Sequence, residues 1–192
     1  MLSVIRPEQF KTTLWKNCKG QTTELAINPG GQLDDFEWRI SIADMSENGR
    51  FSKFNGYRRH LLLLSGVGLA LSHDTGADVL LKPMEVTSFD GANQTTGELI
   101  NGPVKNFNVM TKHTVCSAVV SFHQRDECFD VLKGECLFVF APQGHLTINA
   151  DNKVFKVGEG CLASISKCCQ CVKISGSTYI LIRITGFKDK NN

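Results

Sequence analysis

An arginine in an alternating apolar segment is the first residue whose position suggests chemistry. In residues 36–43, FEWRISIA, the side chains of Phe36, Trp38 and Ile40 fall on one face of a strand and Arg39 falls on the other. If the inside of the fold lies on the Arg39 side, the guanidinium can hold a bound anion through its planar fork. The alternative is an arginine that faces solvent on the outside of the sheet.

A polar segment upstream carries two more candidate side chains. Asn17 and Glu24 flank the loop in WKNCKGQTTE, residues 15–24, which is expected to run into a strand at residues 25–27. A carboxylate near Arg39 could hold that arginine in place or serve as a general acid or base. The alternative is a surface loop with an Asx turn.

The histidines and cysteines form no recognisable metal or nucleophile motif. No two of the five histidines are separated by one residue, whereas a first-row metal site needs several converging ligands. Cys168, Cys169 and Cys171 lie close together, but a strand would place Cys168 on the opposite face from the other two. The sequence therefore predicts no metal, no cofactor and no assigned catalytic residue, and it predicts reduced thiols that are sensitive to oxidation where exposed.

The elements that must position these residues are short strands. Apolar runs of three to nine residues alternate with Gly, Pro, Asn and Asp turns, a pattern typical of a sandwich or barrel. Strands are predicted at 36–44, 115–122 and 136–140, and a pair of strands interrupted by Ser65-Gly66 and Gly68 is predicted at 60–71. The polar segment 123–135 is predicted to hold a turn or a single helical turn. The predicted fold class is all-β with few or no helices.

A faint internal repeat indicates two stacked barrels in one chain. Residues 61–72 can be laid on 137–149, and residues 81–89 then lie on 155–165. We predict an N-terminal barrel with the candidate site at residues 1–122 and a C-terminal barrel at residues 123–192. The two form one compact unit in which strands can swap.

Composition narrows the classes of partner. The 192 residues carry a net charge of +2, which is too weak to indicate nucleic acid binding. The most apolar run, residues 61–64, is far shorter than a membrane span, and the first residues contain no secretory signal. These features predict a cytoplasmic protein with neither a nucleic acid nor a membrane partner.

Five segments resemble a known family. WKN…TTEL (15–25), FEWRISIA (36–43), NGRFSKFNGYRR (48–59), LLLSGVGLAL (62–71) and GPVKNFNVMTK (102–112) are similar to blocks of the HutD/Ves family. The resemblance implies a two-barrel, or bicupin, cupin-like fold. One branch of the family is associated with histidine utilisation and a small acid such as N-formylglutamate, and another with environmental stress.

The resemblance also adds residues to the candidate site. Arg59 matches a family position and is either a second cation or a clamp on the carbonyls of the loop 51–56. Asn108 lies in a matched block and could donate to a ligand, or could bond to the backbone. Thr23 stands where the family motif has arginine, and Asn106 where it has aspartate.

These observations predict a protein that binds a small anionic metabolite, a carboxylate, in a regulatory or stress-linked role. Arg39 would pair with the anion, Asn17 and Asn108 would donate, Glu24 would orient Arg39, and Arg59 would support the mouth. A metal-free isomerase or hydrolase of a small acid or sugar, with Glu24 as general base, is the alternative. A third hypothesis is a non-catalytic assembly protein whose copies pair through exposed strand edges, and such pairing could form a homodimer.

Overall fold

The structure is a computed structural model, and it describes residues 2–15, 20–151, 153–166 and 171–186. In these residues the chain is nearly all β, which confirms the predicted class, and its one 3-10 turn is Pro7–Gln9. The strands are β1 Leu2–Ile5, β2 Lys11–Leu14, β3 Gly20–Ile27, β4 Trp38–Met45, β5 Gly49–Arg50, β6 Tyr57–Ser65, β7 Gly68–His73, β8 Val79–Leu81, β9 Val86–Asp90, β10 Thr95–Ile100, β11 Val104–Lys112, β12 Ser117–His123, β13 Glu127–Asp130, β14 Cys136–Phe140, β15 Leu146–Ala150, β16 Lys153–Val157, β17 Leu162–Ser166, β18 Cys171–Gly176 and β19 Tyr179–Thr185.

The chain divides into two compact units, which differ in their bounds from the predicted 1–122 and 123–192. The N-terminal unit comprises residues 10–114, and the C-terminal unit comprises residues 1–9 together with 115–192. The first nine residues belong to the C-terminal unit because β1 pairs with β17, from Leu2 opposite Ile165 to Ile5 opposite Leu162. Sequence patterns could not reveal a pairing between such distant segments.

The N-terminal unit consists of two antiparallel sheets that enclose a core. One has the strand order β2, β3, β4, β11, β6, β9 and the other β5, β10, β7, β8. Leu61 and Leu63 of the first sheet pack with Leu69 and Leu71 of the second in one buried cluster. We call the face of the six-stranded sheet that carries Leu61 and Leu63 its inner face.

The C-terminal unit has a related pair of sheets. Their orders are β1, β17, β14, β19, β12 and β13, β18, β15, β16. Strands β4–β11 of the N-terminal unit correspond one to one, in chain order, to strands β12–β19 of the C-terminal unit. With this correspondence, the shared strands occur in the same order in the sheets of both units. The topology is thus repeated within the chain, while closure of each unit into a barrel stays a prediction.

The interruption predicted within residues 60–71 is confirmed: the segment forms two strands, β6 and β7, because Gly66 has a φ of +107° and turns the chain between them. Two other local expectations are wrong in their extent. Residues 20–24 belong to β3 and not to a loop, because they pair with β4. Segment 123–135 contains strand β13, which pairs with β18, where a turn or helical turn was predicted.

Among the described residues, no helix has the length and apolar character that crossing a membrane would require.

Candidate functional site

The two candidate arginines lie in one row across the six-stranded sheet. Arg39 of β4 is opposite Met110 of β11, and Met110 is opposite Arg59 of β6. Directly opposed residues point to the same face, and Leu61 lies two residues after Arg59. Both arginines therefore point to the inner face of the N-terminal unit. For Arg39, this is the inward orientation that the sequence analysis gave as one of two alternatives.

Glu24 lies in β3 rather than in a loop, and it pairs with Arg39. The Nε of Arg39 donates to Oε2 of Glu24 at 2.6 Å. The register of β3 shifts between Glu24 and Ala26, so that one extra residue lies in β3 at this point. Such a bulge re-aims the neighbouring side chains, here placing Glu24 opposite Ser41 and on the same face as Arg39.

Arg59 is buried among aromatic rings. Only 4% of the residue is exposed, and its guanidinium carbon lies 5.1 Å from the ring centroid of Phe51, 5.9 Å from that of Phe54 and 5.3 Å from that of Phe89. Its Nη1 donates to the carbonyl of Ser52 at 3.3 Å, the loop contact expected of a clamp. The faces of aromatic rings attract a cation without neutralising it.

The surroundings of Arg59 disfavour its charged form. Burial, reinforced by the positive charge of Arg39, lowers the pKa of Arg59 to about 10. Its buried Nε has no hydrogen-bond partner, and no carboxylate pairs with it within the described part of the chain. Since a buried charge is normally paired, this side of the site favours an anion.

Two asparagines lie further along the same face of β11. Asn108 is opposite Ser41 and Leu61, and Asn106 is opposite Ala43 and Leu63. Asn106 is fully buried, and neither of its amide atoms has a hydrogen-bond partner among the described residues; the same is true of Oδ1 of Asn108. Buried amide groups nearly always have hydrogen-bond partners, so these unpaired atoms indicate a polar region in the interior of the unit.

Asn106 was not among the predicted site residues. The available signal was its spacing: Asn106 and Asn108 alternate with apolar residues in VKNFNVM, and both therefore share one face of a buried strand. The sequence could not show which face of β11 was inward. That depended on its pairing with β4 and β6.

The remaining predicted residues do not join this group. Asn17 lies outside the described residues, as do Cys168 and Cys169. Cys171 is an exposed free thiol in β18. Within the described residues, no group of three or more His, Cys, Asp or Glu side chains could hold a metal ion.

A pocket of about 360 Å³ lies at the other end of the same sheet. It contains none of the predicted site residues and includes Gln21, whose amide donates to Asp44 at 2.9 Å. Lys105 lies 3.4 Å from the same carboxylate. Gln21, Asp44 and Lys105 already contact one another, whereas the buried Arg59 has no carboxylate partner among the described residues, so we place the candidate site at the arginines.

Comparison with solved structures agrees with this architecture. HutD from Pseudomonas fluorescens SBW25, in a formate condition, superposes with a TM-score of 0.87 at 26% identity, covering 98% of this chain and 100% of that one. A cupin 2 conserved barrel domain protein from Leptotrichia buccalis gives a TM-score of 0.58 at 12% identity, covering 92% and 96%. The fold is cupin-like.

Sequence comparison identifies the family. An uncharacterized 21.2 kDa protein in the hutC 3′ region of Pseudomonas putida is 37% identical over 109 residues. That match spans 57% of this chain and 57% of the relative. The HutD family model matches residues 7–181, which is most of the chain. The protein therefore belongs to the HutD family.

Proposed function

We propose that this protein binds a small carboxylate on the inner face of the N-terminal unit, in a regulatory role linked to histidine utilisation. The observation that carries the proposal is the buried Arg59 guanidinium, which has aromatic neighbours and one backbone acceptor but no described carboxylate. Arg39 lies across Met110 from Arg59 and has only Glu24 as its partner among the described residues. Two guanidinium groups against one carboxylate leave room for a second anion.

The geometry suits a ligand of a few atoms. Arg39 and Arg59 are separated by one strand, so their Cα atoms lie about 10 Å apart, from two strand spacings. Arginine side chains that lean toward one another over Met110 can both reach a carboxylate between them. Glu24 occupies Nε of Arg39 and orients the guanidinium so that its outer N–H groups remain available.

The asparagines support a ligand with polar groups beyond its carboxylate. Asn108 and Asn106 extend the row of polar side chains along the inner face of β11. Their unpaired amide atoms can donate to or accept from a formyl or amide group. An N-formyl amino acid carries both kinds of group, and formate is the smallest probe of the anion position alone.

A thermal-shift series tests the proposal on the full chain. Formate, glutamate and N-formylglutamate are added to the wild-type protein and to Arg59→Met, which keeps most of the apolar stem. A ligand at 100 times its dissociation constant stabilises the protein by about 2.7 kcal/mol. For a chain of this size we expect a rise in melting temperature of about 5–10 °C in the wild type. We expect no rise in Arg59→Met.

Arg58 supplies the matched control. It is the neighbouring arginine on the opposite face of β6, it is exposed, and it donates to the hydroxyl of Ser88 at 3.0 Å. Arg58→Met should keep the full shift. A wild-type protein that shows no shift with any carboxylate would overturn the proposal, as would equal losses in the two variants.

The enzyme alternative depends on Glu24 and can be separated from binding. If the carboxylate only orients Arg39, Glu24→Gln weakens ligand binding and no conversion of the ligand is detected in either protein. Turnover of the bound acid by the wild type, lost in Glu24→Gln while binding persists, would instead favour an enzyme with Glu24 as general base. Ligand and product are followed by NMR in the same samples.

A further inference from the structure

We propose that the C-terminal unit carries a nucleophilic serine, Ser121, activated by His123 and Glu127, that reacts with small activated acyl esters. This site is separate in sequence and in unit from the arginines of the N-terminal unit. The Oγ of Ser121 and Nε2 of His123 are 2.7 Å apart. Nδ1 of His123 and Oε2 of Glu127 are 3.2 Å apart.

The order of these contacts is the one that activates a serine. A hydroxyl bonded to one imidazole nitrogen, with a carboxylate on the other nitrogen, is the arrangement of a nucleophile, a general base and a group that orients the base. The Glu127 carboxylate can only accept, so it selects the tautomer with the proton on Nδ1. Nε2 then has a free lone pair and accepts the hydrogen bond from the Ser121 hydroxyl.

Strand geometry brings the serine and the histidine together. Ser121 and His123 are two residues apart in β12 and therefore share one face. They are opposite Leu181 and Tyr179 of β19, which belong to the buried core of the C-terminal unit. Because β12 is the last strand of its sheet, this face is at the edge of the core, and Ser121 and His123 are both partly exposed.

Aromatic contacts hold the imidazole in place. The His123 ring is stacked on Tyr179, with centroids 5.0 Å apart and an interplanar angle of 6°. Phe129 meets it edge-on at 5.3 Å. Tyr179 is fully buried, and its hydroxyl donates to the carbonyl of Arg125 at 3.4 Å. A ring fixed on two sides keeps Nε2 directed at Ser121.

The carboxylate is kept ionised by its other neighbour. Nε of Arg125 donates to Oε1 of Glu127 at 2.8 Å. This hydrogen bond is the main cause of the lowered pKa of Glu127, and contacts with His123 lower that pKa further. Glu127 is thus a positioning residue with a steady negative charge beside Nδ1, which favours the imidazolium that forms during the reaction.

The reaction proposed is ester hydrolysis in two steps. Oγ of Ser121 forms a bond to the ester carbonyl carbon while its proton passes to Nε2 of His123. The bond from carbon to the leaving oxygen then breaks, and that oxygen takes the proton as the alcohol departs. Water repeats the sequence on the acyl-serine, and the products are one carboxylic acid and one alcohol for each ester and water consumed.

Covalent labelling tests the assignment on the full chain. The protein is treated with a fluorophosphonate probe, the modified residue is located by mass spectrometry, and hydrolysis of p-nitrophenyl acetate is measured in parallel. We expect the label on Ser121. In Ser121→Ala, we expect labelling at that position to vanish and the hydrolysis rate to fall at least 100-fold, the usual contribution of a positioned base.

Ser117 is the matched control. It lies four residues earlier in β12 on the same face, and its hydroxyl is 3.1 Å from that of Thr185 instead of from a histidine. Ser117→Ala should leave labelling and hydrolysis unchanged. If the wild-type protein takes no label at Ser121, or if Ser117 is labelled as readily, the proposal is wrong and the 2.7 Å contact is a structural hydrogen bond.

Glu127→Gln tests the positioning role with a readout that simple stability would not move. Nitrogen-15 NMR of His123 reports which ring nitrogen carries the proton. We expect Nδ1–H in the wild type, and in Glu127→Gln a mixed tautomer with slower labelling of Ser121. An unchanged tautomer together with an unchanged labelling rate would remove Glu127 from the site.

Discussion

Two adjacent arginines show that the face of a strand decides what a side chain can do. Arg58 and Arg59 differ by one position in β6, and the pleat directs them to opposite faces. Arg58 is exposed and donates to Ser88, while Arg59 is buried against Phe51, Phe54 and Phe89. An uncompensated buried charge favours an anionic ligand, whereas an exposed one is already solvated.

Glu135 is a buried charged group that, unlike Arg59, has a partner of opposite charge, Arg183. Nε of Arg183 donates to Oε1 of Glu135 at 2.6 Å and Nη2 donates to Oε2 at 2.9 Å. Desolvation raises the pKa of Glu135, but the hydrogen bonds from Arg183 and from the N–H of Leu132 outweigh it and lower that pKa. The pair links β19 to the segment that leads into β14.

We predict that Glu135→Gln lowers the free energy of unfolding by about 1.5–3 kcal/mol at pH 7, the usual contribution of hydrogen bonds to a charged group. A carboxyl whose pKa is lowered by folding stabilises the native state above its unfolded pKa, about 4.3, and that contribution is lost as pH falls through the folded value. The difference between wild type and variant should therefore be constant from pH 7 to about 5.5 and shrink below about 4.3. Urea denaturation across this range measures it.

Glu98, an exposed carboxylate on β10, is the control for this pH series. Glu98→Gln should change stability by less than about 0.5 kcal/mol at each pH, as expected of a surface substitution. A Glu135→Gln difference that grows toward low pH would contradict the assigned direction of the Glu135 pKa.

At the scale of elements, the loop between β5 and β6 depends on the turn between β9 and β10. This loop carries Phe51, Ser52 and Phe54, three of the groups around Arg59. The N–H of Gly91 donates to the carbonyl of Tyr57 at 2.7 Å, and the N–H of Phe54 donates to the carbonyl of Gly91 at 2.7 Å. A side chain at position 91 has no room, because a Cβ there would be 2.5 Å from the Phe54 carbonyl oxygen.

We predict that Gly91→Ala destabilises the protein by about 1–3 kcal/mol, as overpacking does, because two backbone carbonyls must move. The displaced loop also shifts the rings and the Ser52 carbonyl that surround Arg59, so the carboxylate-induced rise in melting temperature should be smaller. Urea denaturation and the thermal-shift series measure the two effects separately.

Gly49→Ala, in β5 of the same unit, is the matched control. A Cβ at position 49 would meet nothing within 4 Å, and Gly49 is not among the positive-φ glycines. A gain of about 0.4–1 kcal/mol is expected at such a position, because alanine reduces the freedom of the unfolded chain. If Gly91→Ala is as well tolerated as Gly49→Ala, the loop does not depend on this turn.

At the scale of the whole chain, the first nine residues belong to the C-terminal unit. Strand β1 lies at the edge of the sheet that contains β17, β14, β19 and β12. Leu2 and Val4 pack against the buried cluster of the C-terminal unit. This pairing closes a loop of more than 150 residues, and contacts of such sequence separation slow folding.

We predict that Val4→Asp destabilises the C-terminal unit by about 1–3 kcal/mol, because a carboxylate would be placed against an apolar cluster. Hydrogen exchange followed by mass spectrometry should show faster exchange in β17 and β14 than in the wild type. Exchange in β4 and β11, which belong to the N-terminal unit, should be unchanged.

Ser3→Asp is the control, since Ser3 is exposed and is the neighbour of Val4 in the same strand. It should leave exchange in β17 unaltered. Equal acceleration in both units after Val4→Asp would contradict the assignment of β1 to the C-terminal unit alone.

The sequence by itself determined the class of fold and the family. Alternation and turn residues are local signals, and they identified short strands, an all-β chain and the position of Arg39 on the face opposite Trp38. Family blocks added Arg59 and Asn108. The sequence also indicated an internal repeat, and the shared strand order of the two units agrees with it.

Only the tertiary structure decided which face is inward and which residues meet. The pairing of Arg39 with Glu24 depends on the bulge in β3, and the burial of Asn106 depends on β11 lying between β4 and β6. The meeting of Ser121, His123 and Glu127 required β12 to pair with β19 and β13 to pair with β18. Strand pairing is non-local, so a pattern read along the chain fixes the two faces of a strand but not what each face contacts.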